Sequence, residues 1–536
     1  MSQIGKVPLQ DPVALRPIPN RKVNKKVYIE SYGCAMNFSD SEIVASILAT
    51  DGYTTVETAE DADLVLLNTC SIREKAEYTV LQRINEMNSL KARKKGLKVG
   101  VLGCMAERMR EDLLEKKKVV DLVVGPDAYR TLPDLLEKVG TGQKAVNVLL
   151  SREETYGEVI PVRLNSNGVT AFVTIMRGCD NMCAFCVVPF TRGRERSRDP
   201  YTIIEECKDL AAKGYKEVTL LGQNVDSYKW ASPPAPLPRR GEEITSPNNI
   251  GPSDPIDLVR EVKAAGSDFA DLLEMVAVAC PTLRIRYSTS HPKDMTDKVL
   301  HVMAKYSNIC KYIHLPVQSG SSAVLHRMNR GYDRAWYLER IASIHRIMPD
   351  CAISTDIIAG FSGETEEDHK DTVTLMEQVG YGMAFMFKYS ERPKTLAARK
   401  YEDDVPEDVK GRRLAEIIEV QKKNSAKHMA TYVGQVHDVL IEGVSKRSPD
   451  HMFGRNTQNA VVIVDRYSKV GEMGASGTMV QSTLEAISET SLSPTAYELI
   501  SGDMIRVRIA SSTAGSLKGQ VLKVVSRGET KEGVKA

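Results

Sequence analysis

Residues 170–198 read TAFVTIMRGCDNMCAFCVVPFTRGRERSR: an apolar, strand-like run, then Cys179, Cys183 and Cys186, then an arginine-rich turn. The spacing Cys-x3-Cys-x2-Cys lets one short loop wrap a cubane. A four-iron cluster ordinarily takes four thiolates, so three leave one iron open, and the amino and carboxylate groups of a methionine-type ligand can chelate it. An electron delivered to such a chelated sulfonium cleaves a carbon–sulfur bond and generates an adenosyl radical. A structural zinc would want a fourth ligand nearby, yet no Cys or His follows before Cys207.

Working outward, the run TAFVTIMRG heads a series of six strand-like segments separated by helical ones. The other five are EVTLLGQNV, LRIRYSTSHP, YIHLPVQSG, AISTDIIAGF and GMAFMFKYS. Six βα units predict a partial (βα)6 barrel over 165–405 with its functional face at the strands' C-terminal ends. Residues 231–255 hold seven prolines among Gly, Ser and Asn and read as an insertion loop. Upstream, KVYIESYG, ADLVLLNTC, LKVGVLGC and VDLVVGP alternate with helical stretches, which predicts an open parallel α/β sheet domain over 26–150. Residues 1–25 lack periodicity and read as a flexible arm. After a helical connector at 407–430, short runs such as QVHDVLIEGV, AVVIVD, DMIRVRIASS and LKGQVLKVV predict a small antiparallel β-barrel over 430–527, interrupted by a Ser/Thr/Gly-rich stretch from about 466 to 500.

Three more cysteines each close a strand of the first domain: Cys34 after KVYIESYG, Cys70 after LVLLNT, and Cys104 after KVGVLG. Ligands of open parallel sheets sit outside the strands' carboxyl ends, so these three are expected to converge into a second three-thiolate site. Gly33 and Gly103 would let backbone approach a bulky cluster, and Asn37 and Asn68 would donate to its sulfurs. Cys207, Cys280, Cys310 and Cys351 lack partner spacing and read as packing residues. Ten cysteines in 536 residues are too sparse for a disulfide scaffold. An apolar content of 42%, 26% charged residues and a net charge of +2 exclude a disordered chain and a grossly basic nucleic-acid coat. No apolar run suggests a membrane span or secretory signal, so a cytoplasmic location without membrane attachment is expected.

The cysteine loop at the head of six βα units resembles the radical S-adenosylmethionine (SAM) superfamily over residues 165 to 395. The phrases SYGCAMNFSDSE, NTCSIREKAE, LGCMAER, RGCDNMCAFC, TRGRERSR, LLGQNV, STSHP, HLPVQSGS and YSERPKTLAA extend the resemblance to the methylthiotransferase family, MiaB type. YGC-x-MN sets it apart from relatives resembling LGC-x-VN, which modify threonylcarbamoyladenosine, or LGCPKN, which modify a ribosomal protein. Lys394 in ERPKTLAA stands where the family usually has Gly.

The resemblance implies two 4Fe-4S clusters, a SAM-cleaving one on Cys179, Cys183 and Cys186 and a sulfur-bearing auxiliary one on Cys34, Cys70 and Cys104, these six being the catalytic set. It places Phe185, Gly222, Gln223, Ile358 and Gly360 at SAM; Gln318, ending the fourth strand, could reach the barrel mouth. Expected partners are a tRNA with isopentenyladenosine 3′ of the anticodon, an external electron donor of flavodoxin or ferredoxin type, and a sulfur donor, with the chain a monomer. Arg192, Arg194, Arg196 and Arg198 could fork onto RNA phosphates or substrate. The C-terminal module resembles the TRAM domain, with Lys446, Arg447, Arg455 and Arg506 for RNA. The same chemistry on threonylcarbamoyladenosine or a ribosomal protein, and a non-catalytic iron-sulfur RNA-binding protein, are the alternatives.

Overall fold

The computed structural model describes residues 24–71, 74–164, 166–231, 266–468 and 497–528. The expected N-terminal arm, the Pro-rich insertion and most of the Ser/Thr/Gly-rich stretch therefore lie outside the described residues.

Six parallel strands make the first sheet: β1 (Lys25–Ser31), β2 (Tyr53–Thr55), β3 (Leu64–Thr69), β4 (Lys98–Gly103), β5 (Leu122–Val124) and β6 (Ala145–Asn147), in the order β2-β1-β3-β4-β5-β6. β3, LVLLNT, is buried at every residue because helices cover both faces, which is why it reads as a continuous apolar run. β2 and β6 span three residues each, too few for an alternation to show in sequence. Chain direction across the sheet switches between β1 and β3, the crevice where doubly wound sheets hold ligands. Cys34 and Cys70 leave the two strands that flank this switch, and Cys104 leaves the next one.

The second domain is an open barrel of two three-stranded parallel sheets. One orders β9-β8-β7 (Arg284–Ser288, Glu217–Leu221, Thr170–Thr174), the other β10-β11-β12 (Tyr312–His314, Ala352–Ala359, Met383–Lys388). A parallel bridge between Ile285 and Ile309 joins them. A 24-residue helix, Glu407–Ala430, leads to the third unit. That unit is a closed five-stranded barrel ordered β13-β14-β15-β17-β16: Val436–Val444, His451–Arg455, Val461–Asp465, Leu517–Ser526 and Met504–Ser512. Closure runs through one parallel pair, β15 with β17, among antiparallel ones. β14, HMFGR, was not apparent from sequence because only Met452 and Gly454 face inward, leaving one apolar side chain to signal it.

Two buried ionic seams hold the units together. Between the sheet domain and the barrel, Asp40 accepts from Arg177 Nη1 and Arg192 Nη2, both at 2.8 Å, and Asp127 accepts from Arg196 at 2.9 Å. Between barrel and C-terminal unit, Glu217 binds Arg284 and Arg286 at 2.6 and 2.8 Å. Those arginines in turn donate to the carbonyls of Arg455 and Asn456 at 2.8 and 2.7 Å. Burial opposes the Glu217 charge, but the two arginines outweigh it and hold its carboxyl below the usual range. Glu217→Gln would strand two buried guanidinium groups, an expected cost of about 3–5 kcal/mol readable by calorimetry. The contribution is full above the unfolded value, about 4.3, and is lost as pH falls through the lower folded value. Unfolding of the variant at the parent temperature would contradict this.

Candidate active site

The first cysteine triad sits on the loop after β7, at the C-terminal mouth of the barrel. Cys183 Sγ accepts from Arg330 Nη1 at 3.1 Å, and Cys186 Sγ accepts from the backbone N–H of Val188 at 3.5 Å. Burial, helped by the neighbouring Cys183 charge, pushes the Cys179 thiol up to about 12. Burial likewise raises Cys186, with Cys183 and Cys179 adding to the effect. Cys179 and Cys186, both held in the thiol form in this half-buried loop, need a cation to become thiolates together, which is the fit expected of an iron cluster. His291 Nε2 lies 3.9 Å from Cys183 Sγ. Among the described residues, however, no three His, Cys, Asp or Glu side chains converge on a single-ion site. A cubane instead spreads its thiolates over separate irons.

Beside this loop, the ends of β8 and β9 form a polar cradle. Both amide atoms of Gln223, Asn224 Oδ1 and Thr289 Oγ1 are buried without a partner among the described residues. Asn224 Nδ2 and Asn181 Nδ2 donate to Asp294 at 2.7 and 2.9 Å, which ties the cradle to the cysteine loop. Orphaned buried polar atoms call for a ligand. The amino and carboxylate groups of SAM match this set of donors and acceptors. Asp226, two residues beyond Asn224, has both carboxylate oxygens buried without a partner among the described residues, and burial pushes its carboxyl up to about 7 against the pull of Ser290.

Of the expected SAM contacts, Phe185 and Ile358 meet in one apolar cluster with Ala184, Val324, Met328 and Phe361, and Gln223 lies in the cradle. Gln318 takes φ +78° and its backbone pairs with Asp356 and Ile358 on β11, at the barrel mouth. Two glycines have other reasons to be glycine. A Cβ on Gly360 (φ +75°) would lie 2.3 Å from Lys410 Cγ, and one on Gly222 would lie 2.5 Å from Met176 Cγ.

The second triad converges at the sheet's switch point. A Cβ on Gly33 would lie 2.1 Å from Cys70 Cβ, so glycine there lets the Cys34 turn close against Cys70. Cys34 Sγ donates to Asn37 Oδ1 at 3.2 Å, and Cys104 Sγ accepts from Arg192 Nε at 3.2 Å. Asn68 does not face a sulfur; its Nδ2 donates to the Asn37 carbonyl at 2.8 Å and to Ser41 at 2.9 Å, propping the residue that does. A hydrogen bond from Cys70, with the Arg192 charge, pulls the Cys34 thiol below its ordinary value. A soft, thiol-rich site with a built-in cation suits an iron-sulfur cluster. None of the ten cysteines forms a disulfide, and Cys207, Cys280, Cys310 and Cys351 are buried, as expected of packing residues.

The arginine run departs from expectation. Arg192, Arg196 and Arg198 are buried, with Arg198 paired to Glu206, so their guanidinium groups are used inside the protein and cannot clamp RNA. Only Arg194 is exposed, paired with Asp180 at 2.8 Å. In the C-terminal barrel, Lys446 and Arg447 are exposed. Arg455 is bound by Glu442 beside the barrel seam, and Arg506 is paired with Asp438 at 2.7 Å. Lys394 adopts φ +71°, so this chain keeps the glycine-like backbone despite the side chain.

Sequence reasoning missed Arg177, Arg330, His291 and Asp226. None of them belongs to a metal-ligand spacing; two stand inside quoted phrases, Arg177 in RGCDNMCAFC and His291 in STSHP.

Residues 173–376 match the Radical SAM superfamily, residues 26–125 the Uncharacterized protein family UPF0004, and residues 430–473 the TRAM domain. Fold and site together define a radical SAM enzyme. A tRNA-2-methylthio-N(6)-dimethylallyladenosine synthase of Amoebophilus asiaticus is 57% identical, covering 83% of this chain and 88% of its own. One of Flavobacterium johnsoniae is 51% identical, covering 94% and 95%. The chain belongs to the tRNA-2-methylthio-N(6)-dimethylallyladenosine synthase family. Among solved structures, the radical S-adenosylmethionine methyltransferase TsrM of Kitasatospora setae shows a loose likeness: 13% identity, 70% and 74% coverage, TM-score 0.49.

The two triads should differ chemically in the cluster-free chain. At pH 7.5 iodoacetamide is expected to alkylate Cys34 well before Cys179, as followed by peptide mass spectrometry, because only the thiolate reacts. Earlier labelling of Cys179 would contradict the assigned environments.

Proposed function

We propose that this chain is a radical SAM tRNA methylthiotransferase acting on N(6)-isopentenyladenosine 3′ of the anticodon and placing a methylthio group on ring carbon 2. The observation that carries the reading is that Arg192, on the segment after the first triad, crosses the seam to Cys104 of the second, in a chain of this family. When bound, the cluster on Cys179, Cys183 and Cys186 supplies the electron that cleaves SAM, and the one on Cys34, Cys70 and Cys104 supplies the sulfur. The carbon–hydrogen bond replaced is unactivated, which polar catalysis cannot address.

This chain's own residues bind, orient and shield. Gln223, Asn224 and Thr289 hold the polar end of SAM; Phe185 and Ile358 offer the apolar wall for its adenine. Gly222, Gln318 and Gly360 shape the backbone of the mouth. Arg330 orients Cys183 through the hydrogen bond it donates to the sulfur. A cleft of about 270 Å³ runs between the helix that begins at Cys104 and the segment after Cys186, lined by Leu150, Val187, Pro189 and Phe190 with Arg108, Lys394 and the ion pair of Glu107 and Arg110. Its apolar floor and cationic rim suit a prenylated nucleotide with its phosphate. Lys446, Arg447 and Arg194 are the cations left for the RNA backbone.

The functional units follow the limits 26–150, 165–405 and 430–527. An external electron donor of flavodoxin or ferredoxin type fits a cycle that consumes one strongly reducing electron, and a sulfur donor fits one that depletes a cluster. We place the chain in the cytoplasm as a monomer, alongside its tRNA; among the described residues, no helix is long and apolar enough to cross a membrane.

Replacing Cys179, Cys183 and Cys186 by Ala is expected to abolish deoxyadenosine formation. Replacing Cys34, Cys70 and Cys104 should retain it but lose methylthiolated nucleoside, read by mass spectrometry of digested tRNA. Identical behaviour of both variants, with folding intact, would refute the division of labour. Lys446→Ala with Arg447→Ala should weaken tRNA binding and lower the salt slope by roughly one for each cation removed; an unchanged slope would remove these two from the interface.

A further inference from the structure

Arg192 is the side chain through which the barrel reaches the second cysteine triad. It leaves the loop six residues after Cys186, crosses the seam and is 2% exposed. Nε donates to Cys104 Sγ at 3.2 Å; Nη2 donates to Asp40 Oδ2 at 2.8 Å and Asn37 Oδ1 at 3.3 Å. Nη1 has no partner among the described residues. A guanidinium buried this deeply does not leave an N–H group unanswered without cost, so an acceptor belongs there.

The charge around it is unbalanced in the same sense. Arg177 and Arg192 both bind Asp40, while Arg196 binds Asp127, which lies 3.7 Å from Arg177: three arginines against two aspartates. The surplus positive charge lies beside three thiols that can lose their protons. An anionic sulfur cluster answers both the unpaired donor and the surplus charge.

We propose that Arg192 is a positioning residue for the auxiliary cluster: it binds the Cys104 thiolate and a cluster sulfide from the opposite domain, and its charge raises that cluster's reduction potential. The inference rests on the reading of Cys34, Cys70 and Cys104 as cluster ligands. Adding an electron makes a cluster more negative, and a buried cation bonded to its sulfur favours that state. Because the cation comes from the SAM-cleaving loop, the potential of one site depends on the closure of the other domain upon it.

The test uses the full chain with Cys179→Ala, Cys183→Ala and Cys186→Ala, so that only the auxiliary cluster is read, reconstituted anaerobically and followed by an EPR-monitored redox titration with iron and sulfide analysis. Arg192→Gln added to this chain should shift the midpoint potential to more negative values, while Arg192→Lys, which keeps the charge, should stay near the parent. An unchanged potential in Arg192→Gln at full iron content would overturn the inference and leave the cluster assignment standing. A parent chain that takes up no iron would overturn both. If Arg192→Gln loses its iron, Arg192→Lys decides: iron retained at the parent potential supports the role, and iron lost there too overturns it, since packing alone would then account for the residue.

Discussion

The bond of Asp40 to Arg177 and Arg192 is the constraint on which the rest of the structure depends. Its carboxylate is wholly buried, and burial alone would neutralise it; the two guanidinium groups keep it below the usual carboxylate range. Both arginines belong to the cysteine loop of the barrel, one just before Gly178 and Cys179 and the other after Cys186. Asp40 lies on the helix that begins just after Cys34. One carboxylate thus fixes the ends of the first triad's loop relative to the second triad. An apolar seam of similar area would tolerate sliding, whereas paired guanidinium forks hold distance and angle together.

The same seam explains why three strand-end cysteines become one site. In an open parallel sheet the switch between β1 and β3 leaves a crevice, and Cys34 and Cys70 flank it. A crevice of this kind is ordinarily open to solvent. Here the barrel's cysteine loop covers it, and the covering residue, Arg192, brings a cation to Cys104. The cleft beside Phe190 and Lys394 is lined both by residues following Cys186 and by residues of the helix that begins at Cys104.

The parts of this arrangement governed by periodicity were legible in sequence. Continuous apolar runs such as LVLLNT announced the parallel sheet of the first domain and the six βα units announced the open barrel, while the spacing of Cys179, Cys183 and Cys186 is what suggests a cluster loop. The short edge strands β2 and β6 and the strand HMFGR carried too few inward apolar residues to be seen. TRGRERSR misled for a physical reason: four alternating arginines look like a solvated, phosphate-binding turn, and only tertiary packing shows that Asp40, Asp127 and Glu206, distant in sequence, neutralise three of them. The pairing of Arg330 and His291 with Cys183 was not legible, because a contact between residues more than a hundred positions apart leaves no local pattern.

Two clusters in one chain, each on its own three cysteines, is the claim that everything else elaborates. Iron and acid-labile sulfide, counted after anaerobic reconstitution in the parent and in each triad's alanine variant, test it most directly. The account predicts about eight irons in the parent and about four in either variant. A variant lacking Cys34, Cys70 and Cys104 that still bound the parent's full complement would contradict it.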